Sequence, residues 1–158
     1  MSQADPIRLF VTHLWEDAED YLRVFEFLES ARNFFYRNTS VIDDPPSGGS
    51  ERIRDELRRQ IDQAEVVIAL PGLYERQPDL AIFQMNHARS KQKPVLLMKY
   101  FGTRQELPKV LVDRATEVAD WNERGLVDAL RLLARGENTA RFETIEFNPD
   151  EFKDFKLK

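Results

Sequence analysis

An α/β doubly wound domain, with five parallel strands in the order 2-1-3-4-5, is what three features of this chain predict. Residues 66–70 and 94–98 are continuously apolar, as central parallel strands buried on both faces must be. Apolar residues at helical spacing fill the stretches between such runs, so strand and helix alternate and the parallel connections become right-handed crossovers. Clusters of turn residues, Asp43-Asp44-Pro45-Pro46-Ser47-Gly48-Gly49 above all, punctuate the alternation.

Taken in order, Ile7-Arg8-Leu9-Phe10-Val11-Thr12 is the first strand. It feeds a helix in which Tyr21, Val24, Phe25, Leu28 and Ala31 recur at helical spacing, and Glu16, Asp17 and Glu19 suit the positive end of that helix's dipole. Residues 34–42 are rich in aromatic and branched side chains and predict a second strand at a sheet edge. Ser50 is a candidate cap for a helix carrying Ile53, Leu57, Ile61 and Ala64. The third strand, residues 66–70, is followed by a polar turn, after which Pro78 and Asp79 open a helix with Leu80, Phe83, His87 and Lys91 on one side. Residues 94–98 form strand four, 107–111 a short helical turn, and 116–119 strand five. Leu126, Leu130 and Leu133 mark a final helix that Gly136 stops. The chain thus divides into an N-terminal lead, residues 1–6, the α/β domain, residues 7–135, and a charged C-terminal extension, residues 136–158. Phe142, Phe147, Phe152 and Phe155 interrupt that extension, which reads either as a packed addition or as a disordered arm.

Composition narrows the function classes. A length of 158 residues fits one compact domain with its own core. A net charge of -5 argues against nucleic acid as a partner, because phosphate neutralisation needs clustered cations. Arg52, Arg54, Arg58 and Arg59 alternate with Glu51, Asp55 and Glu56 and read as an exposed helix face. No run has the length of a membrane span, and the first five residues lack the basic and apolar regions of a signal peptide, so no membrane partner and a cytoplasmic location are expected. The absence of cysteine agrees, and removes thiolate nucleophiles and cysteine-bound zinc. With His13 and His87 as the two histidines, no metal site is expected.

In such a fold ligands bind outside the carboxyl ends of the strands, where the strand order reverses between strands one and three. That rule selects Thr12, His13, Leu14 and Trp15, then Asp43 and Asp44, then Gly72, Leu73 and Tyr74, with Phe83 and Gln84 on the following helix. Each has two readings. His13 either contacts a ligand or is a satisfied polar residue ending a strand; Trp15 and Tyr74 either stack on a flat ring or lid the core. Asp43 and Asp44 either bind ribose hydroxyls or solvate a loop. Gly48-Gly49-Ser50 either offers amides to a phosphate or is a plain turn, with the turn favoured. A phosphoacceptor receiver would need acids after strand one and an Asp ending strand three, where Thr12-His13 and Leu70-Pro71 stand. A flavodoxin would need a small glycine-containing phosphate loop where His13-Leu14-Trp15-Glu16-Asp17 is bulky and acidic.

At these residues the chain resembles the Toll/interleukin-1 receptor (TIR) family. Residues 9–17 look like its opening strand and loop, residues 64–70 through 88–95 resemble its third and fourth strands with their connecting helix, and Val118-Ala119-Asp120-Trp121-Asn122 is similar to strand five of the short bacterial TIR-like proteins, including those of Thoeris antiphage defence. The resemblance spans roughly residues 7–135 and implies the flavodoxin-like, TIR-like fold. It also implies cleavage of the nicotinamide-ribose bond of NAD to an ADP-ribose-derived signal in antiphage defence, NAD being substrate and no cofactor being required. NAD or an ADP-ribose-like nucleotide, TIR-to-TIR self-assembly and a downstream effector reached through the small-molecule signal are the partners it implies.

In catalytic TIR domains a Glu sits four residues before the Ala of the Ala88-Arg89-Ser90 segment; here that position is Gln84. A carboxylate stabilises the oxocarbenium charge that develops on the ribose, whereas an amide keeps hydrogen bonds without the charge, a difference of about a hundred- to a thousandfold in rate. The resemblance therefore implies a slow or inactive chain, and a non-catalytic signalling or scaffolding module is the alternative. Nucleoside deoxyribosyltransferases place a catalytic Glu at similar spacing, but Asp79-Leu80-Ala81-Ile82 lacks their Asp-x-Gly-Thr turn.

Overall fold

The computed structural model describes residues 4–137. Its sheet is wholly parallel in the order β2-β1-β3-β4-β5, the predicted architecture, with β1 at Ile7–Val11, β2 at Tyr36–Asn38, β3 at Val66–Ala69, β4 at Val95–Met98 and β5 at Glu117–Ala119. Alternation along each strand divides the core between the two faces. Leu9, Val11, Ile68, Leu96 and Met98 point to one side, where α1 (Glu19–Glu29) and α6 (Glu123–Arg135) bring Val24, Leu28, Leu126 and Leu130. Phe10, Val67, Val95 and Leu97 point to the other, where α2 (Ser50–Asp62) and α4 (Pro78–Ser90) bring Leu57, Ile61, Met85 and Ala88. Each fully buried Leu, Ile or Phe contributes about 1.5–3 kcal/mol, so these two layers supply most of the favourable folding energy.

Several local expectations are corrected. The polar turn after β3 is a helix, α3 (Pro71–Arg76), because Pro71 presets the first helical residue and the Gln77 N–H closes on the Leu73 carbonyl at 2.8 Å. In α4 the buried face is Ala81, Gln84, Met85 and Ala88 rather than the Leu80, Phe83, His87 stripe. The small alanines let α4 approach the sheet. Phe83 instead lies half-buried beside the guanidinium groups of Arg54 and Arg58, and His87 bonds Asp62 at 2.8 Å. Strand β2 is shorter than expected, since past Asn38 the side chains capture the backbone: Ser40 N–H bonds Asn38 Oδ1 at 2.9 Å and Thr39 Oγ1 bonds the Gln60 carbonyl at 2.9 Å. Ser50 is the first residue of α2, and the cap position belongs to Gly49, whose φ of 96° excludes a side chain without strain.

Residues 109–112 form α5 (Lys109–Val112). Asn122 caps α6 by accepting from the Gly125 N–H at 2.7 Å, and Gly136, at φ 73°, ends it as expected. Opposite the predicted site, at the amino end of the sheet, Arg135 grips Glu65 with both carboxylate oxygens, at 2.7 and 2.8 Å, and also reaches the Asp5 carboxylate at 3.0 Å. That fork ties the lead to the last helix. The expectations for the C-terminal extension fall on residues 138–158, outside the described residues.

Candidate functional site at the carboxyl end of strand one

Strand β1 delivers Thr12 and His13 to the carboxyl edge of the sheet, where both are buried. Thr12 continues the β1–β3 ladder, donating its N–H to the Ile68 carbonyl at 3.0 Å, and its hydroxyl oxygen accepts the Leu70 N–H at 3.1 Å. The two strand ends are thereby sewn together at the point where the strand order reverses.

Gln84 lies one layer out on α4, fully buried at 0 % exposure. Its side-chain amide pairs with the peptide of His13 as a neighbouring strand would: the His13 N–H donates to Oε1 at 3.1 Å, and Nε2 donates to the His13 carbonyl at 3.1 Å and to the Leu80 carbonyl at 3.2 Å. The position is the predicted one, within reach of the loop after strand one. Its chemistry here is that of a backbone clamp, with both amide donors and the acceptor engaged.

His13 is equally engaged. The Trp15 N–H, which can only donate, bonds Nδ1 at 3.1 Å, so Nδ1 carries the lone pair and the ring proton of the neutral imidazole sits on Nε2. That proton points at Gln60 Oε1, 2.8 Å away. The orientation of the Gln60 amide follows by the same logic, because Oε1 also accepts the Val41 N–H at 3.1 Å. Burial pushes the His13 pKa below its ordinary value, while the Gln60 bond and the Glu56 carboxylate act the other way. A histidine that is neutral and bonded at both nitrogens is a brace between the loops after β1 and β2.

Around this knot the aromatic side chains close the surface. Trp15 meets the imidazole edge-on, with centroids 4.8 Å apart, and packs with Tyr74 and Phe83 against the α2–α4 layer of the core. Tyr21 of α1 approaches from the other side; its hydroxyl pairs with Ser40 Oγ at 2.8 Å and accepts from Asn38 Nδ2 at 3.1 Å. Gly72 stands so close to Asp20 that a Cβ would meet Oδ2 at 2.7 Å.

Of the residues selected from the sequence, His13, Trp15 and Gln84 converge through direct hydrogen bonds, Thr12 beside them bonds the end of β3, and Tyr74 and Phe83 join Trp15 in one apolar cluster. Leu73 is buried, and Leu14 is half-buried beside Trp15 in the chain. Asp43 and Asp44 are exposed in the loop toward α2. Gln60, Tyr21, Asp20 and Ser40 complete the arrangement and were not singled out. Gln60 had a readable signal, a polar side chain on the buried face marked by Leu57, Ile61 and Ala64; the others become neighbours only through tertiary packing.

The switch point is thus filled by its own side chains. An open cleft of about 620 Å³ lies instead at the carboxyl ends of β4 and β5, where the Lys99–Asp120 ion pair of 2.9 Å, Arg104, Leu107, Val112 and Val118 line it. Nothing in the sequence reading pointed there. Among the described residues no group of three or more His, Cys, Asp or Glu could hold a metal, and no helix is long and apolar enough to cross a membrane.

Comparison with known proteins adds the fold. No protein-family model matches the chain, and no curated protein matches it. Among solved structures it is similar to a conserved protein from Enterococcus faecalis V583, at 12 % identity and a TM-score of 0.55, over 80 % of this chain and 98 % of that one. At this identity the likeness speaks for the doubly wound architecture alone.

Proposed function

We propose that the chain is a TIR-like domain of the class that acts on the nicotinamide-ribose bond of NAD, with its catalytic position converted into a structural clamp. In this reading it produces an ADP-ribose-derived signal slowly or not at all. The observation that carries the proposal is Gln84: it stands at the strand-order reversal, bonded to His13 in the loop after strand one, where the resemblance places the carboxylate. An amide there holds the loop and leaves the oxocarbenium charge unopposed.

A second reading, the non-catalytic signalling or scaffolding module, is favoured by a specific feature. The polar atoms of Thr12, His13 and Gln84 are spent on the protein's own backbone and on Gln60. The two are separated by calorimetry with NAD and ADP-ribose on the purified chain, followed by nicotinamide release from Gln84→Glu. The first reading expects nucleotide binding, and a rise in turnover of about a hundred- to a thousandfold in the variant. A folded Glu variant that binds NAD and releases no nicotinamide would overturn it. Absence of nucleotide binding in both proteins would leave the scaffolding module as the description.

A further inference from the structure

We propose that the loop between β1 and α1 is a strap closed over the switch point by a single imidazole, and that protonation of His13 releases Trp15 and opens the strap. The device stands on geometry alone and holds whatever ligand the domain takes.

Trp15 sits at φ 58°, in the left-handed region that a bulky side chain occupies only when its surroundings hold it there. Its holding contacts are identifiable. The backbone N–H is bonded to His13 Nδ1 at 3.1 Å, and the indole packs edge-on against the same imidazole. Both contacts therefore converge on one titratable ring two residues away.

Adding a proton to that ring has a defined consequence. Nε2 already carries its hydrogen toward Gln60 Oε1, so the incoming proton goes to Nδ1 and turns the acceptor of the Trp15 N–H into a second donor. Two N–H groups then face each other at hydrogen-bonding distance. The indole's attraction for a cationic ring opposes separation, but it acts on the side chain, whereas the repulsion falls on the backbone that holds the unfavourable φ. With the strap's backbone bond lost, Trp15 relaxes toward negative φ and its ring leaves the imidazole and the α2–α4 layer on which it packs. The clamp of Gln84 on the His13 peptide and the Gln60 bond to Val41 are unaffected, so the motion is confined to the strap.

The charged and titratable groups around the ring set where this happens. Glu56, bonded to Arg59 and Gln60 on α2, favours the imidazolium; Tyr21 of α1 faces the ring with centroids 6.2 Å apart; α4 presents the neutral amide of Gln84. Burial is the largest influence and places the transition on the acid side of 6.5.

The test is a titration of the 15N-labelled full chain by nuclear magnetic resonance from neutral pH to about pH 4.5, with imidazole tautomer and backbone amides read together. At neutral pH His13 should show the Nε2–H tautomer. The Trp15 amide should then shift with the same midpoint as His13 and lose at least about tenfold in protection relative to the intrinsic exchange rate at each pH below it, while the Val41 amide keeps its protection. In the Trp121→Phe background, indole fluorescence should follow the same curve. The His13→Asn variant keeps an acceptor near the Nδ1 position without a titrating group, and should abolish the response while Trp15 remains protected. The proposal is overturned if the neutral ring carries its proton on Nδ1, if Trp15 stays unmoved while His13 titrates, or if His13 stays neutral until the fold is lost. A folded His13→Asn protein with an unchanged Trp15 transition overturns it equally; should that variant fail to fold, the wild-type titration decides.

Discussion

The side chain of Gln84 binds the backbone of His13 on both sides of its Cα, accepting its N–H at 3.1 Å and donating to its carbonyl at 3.1 Å. A residue 71 positions away in the chain thereby serves as the missing strand partner for the first residues beyond β1. The amide matters because a carboxylate reproduces the first bond and not the second.

Replacing Gln84 by Glu should therefore destabilise the fold at neutral pH while leaving its shape intact. The new oxygen would face the His13 and Leu80 carbonyls without a proton to share, taking from the His13 carbonyl its side-chain donor and setting a carboxylate against two carbonyl oxygens in a fully buried place. The expected cost is about 2–4 kcal/mol by urea denaturation at pH 7. A protonated Glu restores one donor, and burial raises its carboxyl pKa, so the deficit should narrow as pH falls toward 5. A deficit that is constant or grows on acidification would contradict the clamp.

The Arg135–Glu65 fork makes a separate pH signature. Arg135, by bonding the Glu65 carboxylate, lowers its pKa from 4.5 to about 2. A depressed folded-state pKa stabilises the native state above the unfolded value, so the contribution is complete above about pH 4.5 and is lost as pH falls toward 2. Urea midpoints measured from pH 5 to 2.5 should decline in the wild type, and the Glu65→Gln variant should show a shallower decline over the same window.

Gly72 is favoured by its neighbour rather than by its backbone angles. A Cβ would lie 2.7 Å from Asp20 Oδ2, so Gly72→Ala must push the carboxylate away from its bond to the Tyr21 N–H. Because the blocking atom is the end of a flexible carboxylate, a loss of at most about 1 kcal/mol is expected, measured by thermal denaturation. The same alanine in an Asp20→Ala background should cost clearly less, because the clash is then absent.

Gln92 offers the opposite case, a side chain held in the left-handed region at φ 61° on an exposed turn between α4 and β4. Gln92→Gly removes a conformational penalty of about 1–2 kcal/mol and adds back chain entropy of about 0.5–1 kcal/mol, so the variant should be neutral to slightly stabilised. A clear drop in Tm would show that the Gln92 side chain makes a contribution that its exposure conceals.

What the sequence determined by itself is the architecture and the neighbourhood of the site. Continuous apolar runs at residues 66–69 and 95–98 demand strands covered on both faces, and with helical stripes between them the topology has few alternatives. Position alone then brings Thr12, His13 and Gln84 to the strand-order reversal. The register of the helices was less legible: in α4 the face with the larger apolar side chains is not the buried one, because close approach to the sheet selects the alanines and Met85. The roles of the site residues were decided by tertiary structure. Whether His13 contacts a ligand or braces a loop depends on Trp15, Gln60 and Val41, and no spacing in the chain reveals which groups share its nitrogens. Buried polar atoms must each find a partner, and those partners are chosen by the packing of separate elements, a long-range condition that residue patterns along one chain do not encode.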